Sequence, residues 1–131
     1  MGRVTGLGGV FIKSRDPKAL GEWYKEHLGI EFAPGGPDCA YSALAWKDDP
    51  KTDGGMSVFS VFSQESKHFA PSTSSFMINL RVEDMDGLMT KLSAEGVNID
   101  PKHDDTPYGR FAWVYDPDGN KIELWEPGKE E

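Results

Sequence analysis

Residues 9–16 and 77–84 repeat one pattern at an offset of 68 positions, and this repetition constrains the fold more than any other feature of the chain. In the first copy Val10 and Ile12 alternate with Phe11 and Lys13, then meet Asp16-Pro17, a helix N-cap with proline at the first helical position. In the second, Ile78, Leu80 and Val82 alternate with Asn79 and Arg81 and lead into Asp84. A helix follows each strand. Leu20, Trp23, Tyr24 and Leu28 make one apolar stripe at helical spacing, and Met85, Leu88, Met89 and Leu92 make the other. Gly29 and Gly96 offer the left-handed residue that ends each helix, one position out of step between copies.

Three short β-rich runs follow each helix, over 30–33, 41–47 and 56–62, then 97–99, 110–115 and 120–126. The clearest turn is Asp116-Pro117-Asp118-Gly119-Asn120, which joins the last two. The sequence therefore predicts an α+β fold of two βαβββ modules forming a curved mixed sheet around a cleft. Module one covers about 7–62, a Ser/Thr/Pro linker 63–74, and module two about 75–126, within a single domain 1–131. An isolated half would leave one sheet face wet, whereas two halves can share an interior. The alternative is an α+β sandwich with a filled interior.

Composition removes several function classes. A net charge of −8 has the wrong sign for wrapping phosphates, so neither nucleic acid nor an anionic membrane is an expected partner. Hydrophobic residues at 37% and aromatics at 11% argue against disorder, and no apolar run reaches the roughly 20 residues that cross a bilayer. The acids gather in turn-like stretches: Asp48-Asp49, Asp104-Asp105, Asp116 to Asp118 and Glu130-Glu131. Met-Gly-Arg-Val-Thr-Gly carries no apolar signal core, and Gly6 stands where a myristoylation signal has Ser or Thr; a cytoplasmic location is expected. Cys39, the one cysteine, permits no internal disulfide and is read as a structural or surface thiol.

Strand alternation assigns the faces. With Val10, Ile12, Phe59, Val61, Ile78, Leu80, Val82, Ile122 and Leu124 beneath the helices, the opposite set lines the cleft. That set contains Gly9, Phe11 and Lys13; Val58, Ser60 and Phe62; Met77, Asn79 and Arg81; and Lys121, Glu123 and Trp125. Such a lining, aromatic and apolar with a few charges, suits an organic ligand. Glu123, between Ile122 and Leu124, needs a cation, a donor or a proton if it faces inward. Three roles stay open for it: an ion pair with Lys13 or Arg81, a general base, or a metal ligand. His27 reads as structural at a helix end, while His68 and His103 fall in loops, His103 near Tyr108-Gly109-Arg110. Gly6-Leu7-Gly8-Gly9 precedes a strand and is no dinucleotide loop.

The paired βαβββ pattern, Asp16-Pro17-Lys18-Ala19-Leu20 through Trp23-Tyr24 to Leu28-Gly29, and Asp116-Pro117-Asp118-Gly119-Asn120-Lys121-Ile122-Glu123-Leu124 resemble the vicinal oxygen chelate superfamily across residues 7–126. That superfamily includes glyoxalase I, bleomycin-resistance proteins and extradiol dioxygenases. In its glyoxalase-type metalloenzymes the resemblance assigns metal ligands to positions matched here by Gly9, Ser60, Met77 and Glu123. Glu123 alone among them is a hard-metal ligand, so no cofactor is predicted and a divalent metal on a degenerate Glu123 site is the alternative. The resemblance also implies a homodimer.

Three functions follow as expectations. The first is sequestration of a small organic molecule, as in bleomycin-resistance proteins. Its candidate ligand-binding residues are Phe11, Lys13, Ser60, Phe62, Met77, Asn79, Arg81, Arg110 and Trp125, with Trp46 or Trp113 as further stacking surfaces. The second is a metal-independent isomerase or lyase, with Glu123 as the catalytic residue moving a proton and Lys13, Arg81 or Arg110 holding an oxygen. The third is a lactoylglutathione lyase-like metalloenzyme.

Overall fold

In the computed structural model, which describes residues 2–36, 38–46 and 54–128, both expected βαβββ patterns form. The first comprises β1 (Arg3–Ser14), α1 (Pro17–Leu28), β2 (Ala33–Pro34), β3 (Cys39–Ala45) and β4 (Met56–Ser63). The second comprises β5 (Phe76–Glu83), α2 (Met85–Ala94), β6 (Asn98–Thr106), β7 (Gly109–Tyr115) and β8 (Lys121–Pro127). The fold is α+β. Asp48-Asp49, Glu130-Glu131 and the predicted strand end at Lys47 lie outside the described residues.

The chain divides into two compact units, Gly9–Phe76 and Met1–Gly8 with Met77–Glu131. In the first, β3 pairs antiparallel with β2 and β4, and β4 pairs parallel with β1, matching Phe11 to Ser60 and Lys13 to Phe62. In the second, the early residues of β1 adjoin β5, β5 pairs parallel with β8, and β8, β7 and β6 continue antiparallel. Strand β1 thus serves both units.

Both helix starts form as their sequences dictate. Asp16 Oδ1 accepts from Ala19 N at 3.1 Å and Asp84 Oδ1 from Gly87 N at 3.1 Å, so each satisfies an otherwise orphaned helical N–H. Gly29 takes the left-handed conformation after α1 at φ 72°. Helix α2 packs by the predicted stripe: Met85 and Leu88 join Val82, Ala112, Val114 and Leu124 in a core flanked by Met89, Leu92, Ile99 and Ile122. Each large aliphatic side chain buried there contributes about 1.5–3 kcal/mol.

Helix α1 departs from expectation. Trp23 and Leu28 point toward solvent, 50% and 61% exposed, and the buried position is Gly21. The helix approaches through Gly21, beside the Phe32 side chain, and through Tyr24, which meets Phe59 edge-on at 5.1 Å. The glycine contact turns Trp23 and Leu28 outward, while Leu20 and Tyr24 of the same stripe stay half-buried. Strand β1 also begins at Arg3 rather than near residue 9, and β2 shrinks to two residues. Strand β6 runs to Thr106 across a register shift between Ile99 and His103, which places His103 in a strand. Among the described residues no helix is long and apolar enough to cross a membrane.

Candidate functional site

The register of the second unit surrounds Glu123 with donors. On β8 it lies opposite Asn79 of β5 and opposite Trp113 of β7. Asn79 Nδ2 donates to Glu123 Oε2 at 2.6 Å, and Trp113 Nε1 donates to Oε1 at 3.0 Å. Glu123 is 3% exposed and Asn79 2%. Hydrogen bonds of this kind offset the desolvation that makes an unmet buried carboxylate costly. They also fix the carboxylate plane at both oxygens.

Turning its amide nitrogen to Glu123 leaves Asn79 Oδ1 buried without a hydrogen-bond partner. That oxygen fills the niche beside Gly8, where a Cβ would stand 2.0 Å from it. Aromatic groups surround this polar centre. The Arg81 guanidinium lies 5.3 Å from the centre of a Trp125 ring, and Trp125 stacks on Phe111 at 6.2 Å while its indole N–H donates to Tyr108 O. The ammonium groups of Lys102 and Lys121 lie 5.8 and 5.4 Å from Trp113. Burial holds Lys121 below the ordinary lysine range, against the opposing pull of Asp100 and Glu123. Asp100 is held below the usual carboxylate range chiefly by the Tyr115 hydroxyl.

In the first unit the expected inward residues Phe11, Lys13 and Phe62 also come together, under a cover missed in the sequence. The linker folds back through Ser66 N to Ser63 O, Ala70 N to Lys67 O and Ser72 N to Phe69 O. It delivers His68, stacked on Phe62 at 5.0 Å, and Phe69, fully buried and 5.4 Å from Phe62. Lys13 Nζ lies 5.2 Å from the centre of the Phe69 ring, and Phe11 packs on Phe62 at 5.5 Å. Ser60 and, in the second unit, Met77 are buried.

Arg110 does not belong to this set. It alternates with Phe111 and Trp113 along β7, so it lies on the α2 side, where Asp86 of α2 at 2.8 Å and Asp105 of β6 at 3.3 Å take its guanidinium. Its expected role in holding a ligand with Glu123 is corrected by this placement. Asp86 is held below its ordinary range by the bond from Arg110. The Cys39 thiol is pushed up to about 11, first by burial and then by Asp38, which agrees with a structural thiol. His27 packs against Trp23 at 4.9 Å.

A four-ligand metal site does not fit these residues. Gly9 offers no side chain, and a Cβ there would stand 2.0 Å from the Val58 carbonyl oxygen. Met77 is a soft thioether, and Glu123 already holds two donors. Among the described residues no group of three or more His, Cys, Asp or Glu side chains is arranged to hold a metal ion. Cavities of about 420 and 610 Å³ lie elsewhere, beneath α2 and beside α1. Neither of these two cavities is lined by Glu123 or Asn79, and the buried polar cluster is taken as the candidate site because its amide oxygen has no hydrogen-bond partner.

The sequence matches the family model described as Glyoxalase/Bleomycin resistance protein/Dioxygenase superfamily over residues 6–124. No curated protein matches the chain significantly. Methylmalonyl-CoA epimerase from Mycobacterium tuberculosis superposes with a TM-score of 0.68 at 23% identity, covering 97% of this chain and 91% of that one. A variant of the Streptomyces coelicolor methylmalonyl-CoA epimerase in complex with 2-nitronate-propionyl-CoA gives 0.69 at 19% identity, with 96% and 99% covered. The Mn(II)-bound glyoxalase from Novosphingobium aromaticivorans gives 0.67 at 20%, covering 96% of this chain but 40% of that longer one. At these identities the likeness is one of fold.

Proposed function

The chain belongs to the Glyoxalase/Bleomycin resistance protein/Dioxygenase superfamily, and on that premise we propose that it binds a small organic molecule at the Glu123 cluster without a four-ligand metal site. The observation that carries this reading is the buried Asn79–Glu123 pair with Asn79 Oδ1 unmatched. Buried acceptors in native folds are almost always satisfied, so a ligand N–H or O–H is the natural complement. Trp113, Trp125 and Phe111 supply the flat apolar surface beside it.

Binding of organic molecules bearing amide, hydroxyl or ammonium donors is measured by tryptophan fluorescence and melting temperature. A saturable response is expected, weakened at least about tenfold by Asn79→Leu, which removes the polar group at similar size. Silence of a broad panel in both measurements overturns the reading. A homodimer is part of the proposal, and a sedimentation mass of one 14.5 kDa chain would refute it.

A second reading is favoured by the carboxylate itself. Held at both oxygens, Glu123 has the fixed orientation that a general base requires. Solved relatives of the same fold include methylmalonyl-CoA epimerases, which makes thioesters with an acidic α-proton the first compounds to try. Exchange of that proton in deuterium oxide is expected to fall at least about 100-fold in Glu123→Gln. Exchange at the wild-type rate in a folded variant would sink this reading. No step through a metal follows from the donor set.

A further inference from the structure

The cavity beside α1 measures about 610 Å³, within the roughly 300–1,000 Å³ range of small-molecule sites, and nothing in the proposed function uses it. The residues that line it all belong to the first unit. Small side chains keep it open. Gly21 is buried in α1, where an added Cβ would stand 3.4 Å from Phe32, and the two residues of β2 set Ala33 opposite Tyr41 and Pro34 opposite Ala40. Phe32, Ala33, Pro34 and Ala40 therefore give the cavity an apolar, partly aromatic wall.

Five of the described charged residues line it, and three of them are already engaged. Asp16 accepts from Ala19 N, and Lys25 pairs with Glu31 at 3.7 Å. The other two, Lys18 and Glu22, are exposed, and among the described residues neither has an ion-pair partner. They stand four residues apart on α1, on the stripe that also carries Gly21 and Lys25, so they flank the same stretch of the cavity. With the lysine on the N-terminal side, their order along the helix is the less favourable one for pairing with each other. An apolar wall beside one ammonium and one carboxylate a helical turn apart complements a zwitterion with an apolar side chain.

We propose that this cavity binds a free amino acid with an aromatic side chain, its carboxylate at Lys18, its ammonium at Glu22 and its ring against Phe32. The test titrates L-phenylalanine into the whole chain, alongside 3-phenylpropanoate, which lacks the ammonium, and 2-phenylethylamine, which lacks the carboxylate. Affinity and location are both read from backbone amide shifts. Saturable one-to-one binding is expected, with shifts at residues 18–25, 31–34 and 39–40 and each analogue about threefold to fivefold weaker, the range that exposed ion pairs supply. Lys18→Ala should weaken phenylalanine and 3-phenylpropanoate by that factor and leave 2-phenylethylamine unaltered. Glu22→Gln should weaken phenylalanine and 2-phenylethylamine and leave 3-phenylpropanoate unaltered. Both positions are exposed, so these variants keep the fold. Ala33→Trp fills the cavity and should abolish binding of all three compounds. No saturable shifts, an analogue as tight as phenylalanine, or shifts centred on residues 79, 113 and 123 would each overturn the proposal. The last outcome would place the compound at the Glu123 cluster, so failure here remains distinguishable from failure of the proposed function.

Discussion

Gly8 shows how one missing side chain organises the polar cluster. Its absent Cβ would lie 2.0 Å from Asn79 Oδ1 and 3.2 Å from Trp125, so Gly8→Ala is expected to cost about 1–3 kcal/mol in denaturant unfolding. Gly6, two residues earlier, has nothing within 4 Å of an added methyl, and Gly6→Ala should change stability by less than about 0.5 kcal/mol. Equal costs would show that the niche is not what holds Asn79. At this scale the sequence is partly readable. Alternation along β8 places Glu123 away from the helices, and the turn at Asp116–Asn120 already implies that Trp113 faces it, since pairing Tyr115 with Lys121 leads two residues later to Trp113 and Glu123. The Asn79 partnership is hidden, because no tight turn sets the register of the parallel β5–β8 pair. Arg110 goes to the helix side by that same alternation, carried across the turn onto β7.

The two helices test how far capping chemistry carries across a repeat. Asp16 caps α1 from φ −146°, an ordinary extended conformation, whereas Asp84 caps α2 from φ 59°, in the left-handed region. Asp16→Ala loses only the cap and should cost about 1 kcal/mol. Asp84→Ala loses the cap and places alanine where left-handed backbone costs a further 1–2 kcal/mol or so, for a total of about 2–3. Asp84→Asn should recover most of that difference, since asparagine tolerates the same backbone and keeps an acceptor. Thermal unfolding of the three variants decides, and matching losses for both alanines would contradict the strain at Asp84. Helix ends are legible because caps and prolines act locally. The face of α1 is only half legible, since periodicity finds Tyr24 but counts Trp23 and Leu28 with it and passes over Gly21, where the helix comes closest. The length of β6 is masked by Pro101 and the charges beside it.

Across the whole molecule, the Asp100–Tyr115 pair contributes to the pH dependence of stability at both the acid and the alkaline end. Its hydrogen bond holds Asp100 below the ordinary carboxylate range, while burial, with Asp100 second, pushes Tyr115 up to about 12. The Asp100 contribution is present above its ordinary pKa of 3.8 and is lost as acid takes the pH below that value. The Tyr115 contribution is complete below pH 10 and is lost as pH rises from there toward about 12. Melting temperatures of Tyr115→Phe should therefore fall less steeply than wild type between pH 10 and 12, and a parallel decline would refute the assignment. Strand β1 carries a different consequence, for synthesis. Its residues Gly9–Ser14 pair with β4, but Arg3–Gly8 belong with strands encoded after residue 76. During synthesis Arg3–Gly8 therefore have no neighbouring strand until β5 has been made, while Gly9–Ser14 can already pair with β4.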